Sequence, residues 1–450
     1  MQDKISKNIA HLLNESELNK LAKESKYYVK NNGSLLTAFA FLMSNLYACM
    51  YSLHFSLENM SSYLSTHFNI CISKQALNQR YNSRSLGFVQ LVFRELSKRL
   101  YLDSMVNLGV HFSAIRILDS TIFQIQEKFK KHYVGFGGSG SSAGLKIQQE
   151  IDLLGNQHYL AYLHSGKDND NQYRELHPIK ANELIVRDLG YWNQSYFAKV
   201  HQSGAYFLSR FHYSTKKVLV KDKAGKLIAT PIIDIIKNFL KTSSKLKSLT
   251  VYIADEKTPV RLVIDKLPDE VVEKRLRAKE KKHRKKLDNA YKLFNQVNLY
   301  MTNASEEKLP LKAIRTIYRV RWQIELLFKT WKSYYQIEDY KDMSVARFEV
   351  LLFCKLIWIM IAFRTYIIAQ CERVEQIKTQ KAKHLVSLMK TMKEFCFNRI
   401  ELFLEAFKSQ CQEKIHTQFH NFYVYVSKKI KMDTKKEQIC TLEALLINYA

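Results

Sequence analysis

The chain has 450 residues, 46% of them hydrophobic, with only 5 Pro and 13 Gly. That supports a sizeable core in two or three domains and excludes a low-complexity or linker-dominated chain. Lys and Arg outnumber Asp and Glu by 70 to 42, a formal charge of +28, which points to a polyanionic partner, most simply nucleic acid, rather than to a merely basic soluble protein carrying its self-repulsion unrelieved.

Residues 1–105 are predicted to be helical. Their opening, "MQDKISKNIAHLLNE", lacks the apolar run of a signal peptide. Apolar residues recur at helical spacing through "LLTAFAFLMSNLYACMYSL". The stretch "LENMSSYLSTHFNICISKQALNQRYNSR" predicts helix, short turn, helix, with Ser73 capping the second helix. Gln75, Asn78, Gln79 and Arg80 on that second helix can reach base edges or phosphates. The same pattern equally suits an ordinary helical hairpin with a polar face.

From about residue 110 strands are expected. "AIRIL" is a short apolar run that ends at Asp119. In "GLKIQQEIDLLGNQHYLAYLH", Leu145, Ile147, Gln149, Ile151 and Leu153 share one face; Gly155-Asn156 turns the chain, and a second strand completes a hairpin. "NELIVRDLGYWNQSYFAKVHQSGAYFLSRFH" predicts a strand through Leu184–Val186, Asp188 just beyond it, a helix to about His201 and a strand from Ala205. Strands mixed with crossover helices imply an α/β layer with a mixed sheet. Residues 213–303 look like an inserted unit of further strands around one Lys/Arg-rich helix. Ten bases fall between Lys274 and Lys292, which favours phosphate contact over a merely solvated face.

After residue 311 helices are expected to the end. The apolar stretch 350–371 is broken by Lys355 and Arg364, so a buried helix is expected in place of a membrane span, which needs about 18 uncharged residues. The seven cysteines are scattered without zinc spacing and are expected to be reduced thiols in the cytoplasm.

The segment "YRVRWQIELLFKTWK", 318–332, places Glu325 among Arg319, Arg321, Lys329 and Lys332. At about 100° per residue on one continuous helix, Tyr318, Arg321, Glu325 and Lys332 fall within an arc of roughly 60°. Ile317, Val320, Ile324, Leu327, Phe328 and Trp331 form a separate apolar stripe. Simple intrahelical ion pairs would account for the charges, but not for the two strand-end acids, Asp119 and Asp188, on the N-terminal side. Three carboxylates brought to one point need a cation between them, and oxygen ligands favour a hard ion, Mg2+ or Mn2+. Two such ions suit phosphodiester cleavage, with Tyr318, Arg321 and Lys332 holding a phosphate beside them. Asp103, Asp152, Asp234 and Asp265 are expected to be surface or turn residues.

The pattern Y-x2-R-x3-E-x6-K, met by Tyr318, Arg321, Glu325 and Lys332, resembles the signature of bacterial insertion-sequence transposases of the DDE type, the branch that cuts DNA through a hairpin intermediate. "ILDSTIF" resembles the motif of the first Asp, "VRDLGYW" that of the second, and "YFLSRFH" the following strand, whose Arg210 would touch DNA. The resemblance covers most of residues 20–370 in order. It implies an RNase H-like catalytic core (106–212 and 304–375) interrupted by a β-rich insertion (213–303). A helical DNA-end-binding domain (1–105) and a helical C-terminal region used in dimerisation (376–450) complete the expected organisation. Asp119, Asp188 and Glu325 would be the catalytic and metal-binding residues, with two Mg2+ or Mn2+ ions. The partners would be double-stranded DNA, as transposon ends and target, and a second copy of the chain in a synaptic complex. The setting would be the bacterial cytoplasm at the nucleoid, with no membrane. One departure concerns the strand before the Glu helix, where some members stack a flipped base on a Trp. Here "FNQVNLYMTNA" has Asn298 near that place and Tyr300 close by, so Tyr300 is expected among the DNA-contacting residues, and the flipped base would stack on Tyr300 or another aromatic, or the step would work differently.

Two alternatives stay open at this point. A decayed transposase would bind its ends without metal-dependent nicking. A non-specific nuclease on the same fold would cut without terminal repeats and yield no joined product.

Overall fold

The computed structural model describes residues 2–28, 36–51, 55–100, 112–137, 141–152, 158–175, 177–253, 258–283, 287–340 and 342–432. The expected turn at Gly155-Asn156, Leu153, Asp103 and Cys440 lie outside them.

The N-terminal part is helical, as its periodicity predicts: α1 (Gln2–Leu12), α2 (Glu15–Glu24), α3 (Ala38–Ala48), α4 (Leu57–Phe68), α5 (Lys74–Gln79) and α6 (Ser83–Arg99). Side-chain caps set several starts. Asn14 caps α2, Thr37 caps α3, and Asn82 and Ser85 form a reciprocal box on α6. Between α4 and α5 the chain turns through Asn69 in the left-handed region, and the Ser73 side chain accepts from the Ala76 amide. The expected helix–turn–helix is therefore present.

One ten-stranded mixed sheet carries the middle of the chain. Its elements are β1 (Ala114–Gln124), β2 (Gly144–Asp152), β3 (His158–Ser165), β4 (Glu183–Arg187), α7 (Gln194–Gln202), β5 (Tyr206–Arg210), β6 (Lys217–Lys221), β7 (Leu227–Pro231), α8 (Ile232–Leu240), β8 (Leu246–Ile253), β9 (Thr258–Lys266), α9 (Asp269–His283), α10 (Asn289–Phe294) and β10 (Val297–Thr302). The strand order is β3-β2-β1-β4-β5-β10-β9-β8-β6-β7. β1 runs parallel to β4 and β4 to β5, while the other pairs are antiparallel. The chain is thus α/β with a mixed sheet, as expected. The strands of 213–303 do not form a sheet of their own. β10 pairs with β5, so they extend the same sheet.

Four local expectations need correction. β1 continues to Gln124, so Asp119 lies in mid-strand and not at its end. β2 is buried along its whole length, because helices and loops cover both faces; its polar alternates Lys146, Gln148 and Glu150 enter an ion-paired layer. Asp152 and Asp265 are buried, since both sit on interior strands where their carboxylates accept from the Ile115 amide and from Asn298. The basic helix is two helices: α9 ends at His283, and Asp288 caps α10.

The last part contains α11 (Ile314–Val320), α12 (Trp322–Ser333), α13 (Val345–Lys378), α14 (Leu388–Asn398), α15 (Ile400–Lys408) and α16 (Gln412–Lys429). α13 is apolar all round and packs against α3, α6, α14 and α16, so the N-terminal and C-terminal helices share one core. Among the described residues it is the one helix long and apolar enough to cross a membrane, and it is buried within the fold. Lys355 is accommodated there by donating to the Gln336 carbonyl at 2.7 Å, with the Tyr340 ring beneath it at 4.3 Å. The Trp358 indole donates to the Leu46 carbonyl and ties α13 to α3. Six cysteines are free thiols among the described residues.

Candidate active site

Four separate segments meet at one point. Asp119 stands on β1 and Asp188 just after the neighbouring parallel strand β4. Tyr318 is on α11 and Glu325 on α12. Arg321 is the residue at which these two helices meet, so 318–332 is not one continuous helix. At the break, the Arg321 amide bonds to the Tyr318 carbonyl and the Ile324 amide to the Arg321 carbonyl, both three residues back. The expected apolar stripe is nevertheless buried at Ile317, Ile324, Leu327, Phe328 and Trp331. The Val320 side chain lies outside the described set.

The Arg321 guanidinium is shared by all three acids. Its Nη1 is 2.7 Å from Asp119 Oδ2, its Nη2 is 2.5 Å from Glu325 Oε1, and its Nε is 3.8 Å from Asp188 Oδ1. The Tyr318 hydroxyl donates to Asp188 Oδ1 at 3.0 Å. Asp119 Oδ1 accepts from the Ser120 amide at 2.8 Å.

Burial pushes the Asp119 carboxyl up to about 7, against the pull of Arg321 and the Ser120 amide, and the Asp188 and Glu325 carboxylates add to the rise. Burial works against the Arg321 charge, but Asp188 and Asp119 outweigh it and hold the guanidinium more firmly protonated than usual. Burial, aided by the nearby Asp188 carboxylate, raises the Tyr318 hydroxyl, which therefore stays a donor.

Lys332 goes elsewhere. Its Nζ donates to the Ile122 carbonyl at 3.0 Å and sits 4.9 Å from the Phe123 ring centre, three to four residues along β1 from Asp119. Lys329, one turn after Glu325 on α12, is exposed. Arg210, at the end of β5, pairs in register with Tyr300 on β10. Tyr300 is only 4% exposed and packs on Tyr318 with ring centres 5.3 Å apart. Asn298 is buried and bridges two side chains: it accepts from Arg275 and donates to Asp265.

The donor set suits a divalent cation. Three hard carboxylates already gather on one positive group. Among the described residues no three ligands are close enough for a single ion as they stand, because Arg321 lies between them.

Several residues around the site escaped the sequence reading. Asp170 receives Ser120 Oγ at 3.0 Å, Lys146 Nζ at 3.0 Å and Gln148 Nε2 at 3.1 Å, behind the strand that carries Asp119. The Tyr191 hydroxyl, three residues after Asp188, donates to Gln148 and ties the segment that follows β4 to this layer. The one available signal was the run of polar alternates in 144–152.

Acids on one strand, just after its parallel neighbour and on a helix thus surround one cation, a carboxylate set of the kind that could hold a divalent metal. Residues 111–361 match the family model described as Transposase DDE domain, and the chain belongs to that family, whose DDE domain implies dependence on a divalent metal. Its relatives are insertion-sequence transposases. It is 30% identical to the transposase for insertion sequence element IS231F of Bacillus thuringiensis subsp. israelensis over 401 residues, covering 83% of this chain and 81% of the relative. It is 28% identical to that of IS1151 of Clostridium perfringens over 450 residues, covering 95% and 94%.

Proposed function

We propose that the chain is a cut-and-paste DNA transposase of an insertion sequence, with Asp119, Asp188 and Glu325 as its metal-binding catalytic residues. The observation that carries this is the convergence of those three carboxylates, from β1, the end of β4 and α12, on one cationic group. Asp119, Asp188 and Glu325 would hold the divalent ions, Mg2+ or Mn2+ and two of them on this reading, which would supply the charge that activates the attacking oxygen and stabilises the leaving oxygen of a phosphodiester. Arg321, whose guanidinium now pairs with those acids, would be free to take the phosphate of the cut strand. Tyr318, which donates to Asp188 here, would turn its hydroxyl to the same strand, and Lys332 would hold it further along β1. Tyr300 supports Tyr318 from behind.

The strand order β3-β2-β1-β4-β5, with its central parallel pairs, supports an RNase H-like core. Residues 106–212 and 304–375 build it, and 213–303 extend it. Exposed Gln75, Asn78 and Gln79 on α5 support assignment of 1–105 to binding the element's ends. Residues 376–450 serve dimerisation in a synaptic complex of two copies. Cleavage proceeds by nicking, hairpin formation and resolution on DNA in the bacterial cytoplasm.

The test is cleavage of a labelled duplex bearing the element's end, with Mg2+. The wild type yields nicked, hairpin and joined products. Ala at Asp119, Asp188 or Glu325 abolishes all three while end binding persists. Wild-type cleavage by any one variant removes that residue from the centre. Cutting without terminal repeats and without joining would mean a nuclease.

A further inference from the structure

Next to the acids lies a second cluster, of opposite sign. Arg210 from β5, Arg275 from α9 and Arg315 from α11 gather around Tyr300 and Asp265. All three act electrostatically on the Tyr300 hydroxyl, and Arg210 also acts on Tyr318 and Arg275. Arg275 turns inward from an otherwise exposed basic helix. Its Nη2 donates to Asn298 Oδ1 at 3.0 Å, and its Nη1 lies 3.4 Å from the carbonyls of Asn295 and Val297. Arg315 Nη1 is 3.8 Å from Asp265 Oδ2, and Asn298 Nδ2 donates to the same oxygen at 3.1 Å. Among the described residues the Arg210 guanidinium has no hydrogen-bond or ion-pair partner.

Arg275 and Arg315 thus face one carboxylate, Asp265, with the Arg210 charge acting on Arg275 as well. Burial and the Arg210 charge both work against the Arg275 cation. Like charges held together and partly desolvated call for an anion, and guanidinium forks match phosphate oxygens. The cluster also has a fixed relation to the acids: Tyr300, at its centre, packs on Tyr318, which donates to Asp188. A single polyanionic strand can therefore lie across both, one phosphate at the acids and another on the arginines.

We propose that Arg210, Arg275 and Arg315, framed by Asn298 and Asp265, form a phosphate-binding site for the DNA strand beside the scissile phosphate. Family resemblance accounts for Arg210 alone; Arg275 and Arg315 are assigned by the geometry. The proposal rests on Asp119, Asp188 and Glu325 being the cutting centre. On that basis α9 is a contributor to the site as well as a charged surface, and Asn298 is the residue that anchors it.

The experiment measures binding of the full chain to a fluorescent duplex end in EDTA, so that no step depends on cleavage. A set of duplexes each carries one uncharged methylphosphonate at successive positions around the cut. In the wild type one or two positions weaken binding about tenfold, the size of a lost charge-assisted contact. In Arg275→Gln and in Arg315→Gln the penalty at those positions falls to about twofold or less, and the salt slope falls by about one. Arg315 is half-exposed and its replacement spares the β10 frame, so it keeps the test valid if Arg275→Gln melts early. A methylphosphonate penalty unchanged in Arg315→Gln at every position overturns the proposal. Asp119→Ala serves as the control: the methylphosphonate pattern persists in it, while its cleavage tests the centre separately.

Discussion

The two faces of β1 and β4 carry charge clusters built in opposite ways. On one face Arg116 and Arg187 meet Glu150 and Glu183, two cations against two anions, each at most 3% exposed. Arg116 reaches Glu150 at 2.8 Å and Glu183 at 2.7 Å, and Arg187 reaches Glu150 at 2.7 Å. On the other face three acids share the single cation of Arg321. The residues are near neighbours in sequence, Arg116 with Asp119 and Arg187 with Asp188, and strand alternation sends them to opposite sides. Electrostatics follows the balance. Burial would raise the Glu150 carboxyl, but Arg187 and Arg116 hold it below its usual range, whereas burial leaves Asp119 near 7. The balanced cluster locks the strands together. The unbalanced one has room for added positive charge, which is why the proposed chemistry is placed there.

Breaking the balanced cluster should have the largest effect on stability. Glu150→Ala leaves the buried Arg187 guanidinium without its carboxylate and takes one of two from Arg116, and should cost about 3–5 kcal/mol in urea unfolding. Asp119→Ala should leave the unfolding midpoint unchanged or slightly raised, because it removes a carboxyl whose ionisation burial already opposes. Equal losses in the two variants would erase the distinction between the faces.

Arg321→Ala sharpens the other side. It leaves three acids without their counterion and should lower metal-free stability by about 1.5–3 kcal/mol. Divalent ion should restore the loss. On a labelled end, Arg321→Ala and Lys332→Ala should stall hairpin formation and resolution more than nicking. Lys329→Ala, at an exposed position with no contact to the acids among the described residues, should change each step by less than about twofold. A Lys329→Ala stall as deep as that of Arg321→Ala would remove the geometric basis for both.

A smaller effect comes from a third buried charge, in α13. Burial pulls the Lys355 ammonium down to about 8 from its ordinary 10.5. The unfolded chain therefore binds more protons between those values, and stability should rise as pH climbs from about 8 to 10.5. The gain should be on the order of 1–3 kcal/mol. Lys355→Met should flatten that segment of the curve, as read by thermal or urea unfolding; an unchanged slope would assign it to other groups.

Much of the site was legible from local pattern. Acids near short apolar runs, and the spacing of Tyr318, Arg321 and Glu325, sufficed to pick out side chains that the fold brings together. The break at Arg321 was not legible, since no Gly or Pro marks it and the helical periodicity continues through it. The polar alternates of β2 gave no warning of their burial, because alternation reports two faces but not how many layers cover them. Asp152 and Asp265 looked like surface acids for the same reason. Arg275 was hidden among equivalent bases on α9, and only the pairing of β10 with β5, a contact distant in sequence, shows which one turns inward.

If charge imbalance makes one face a divalent-cation site, the opposite, balanced face should stay closed to ions. Mn2+ titration of the full chain at pH 8, followed by paramagnetic signal, tests it most directly. Asp119→Ala, Asp188→Ala and Glu325→Ala should each weaken Mn2+ binding at least tenfold, about 1.4 kcal/mol or more, with the fold intact. Mn2+ affinity unchanged in all three variants would contradict the account.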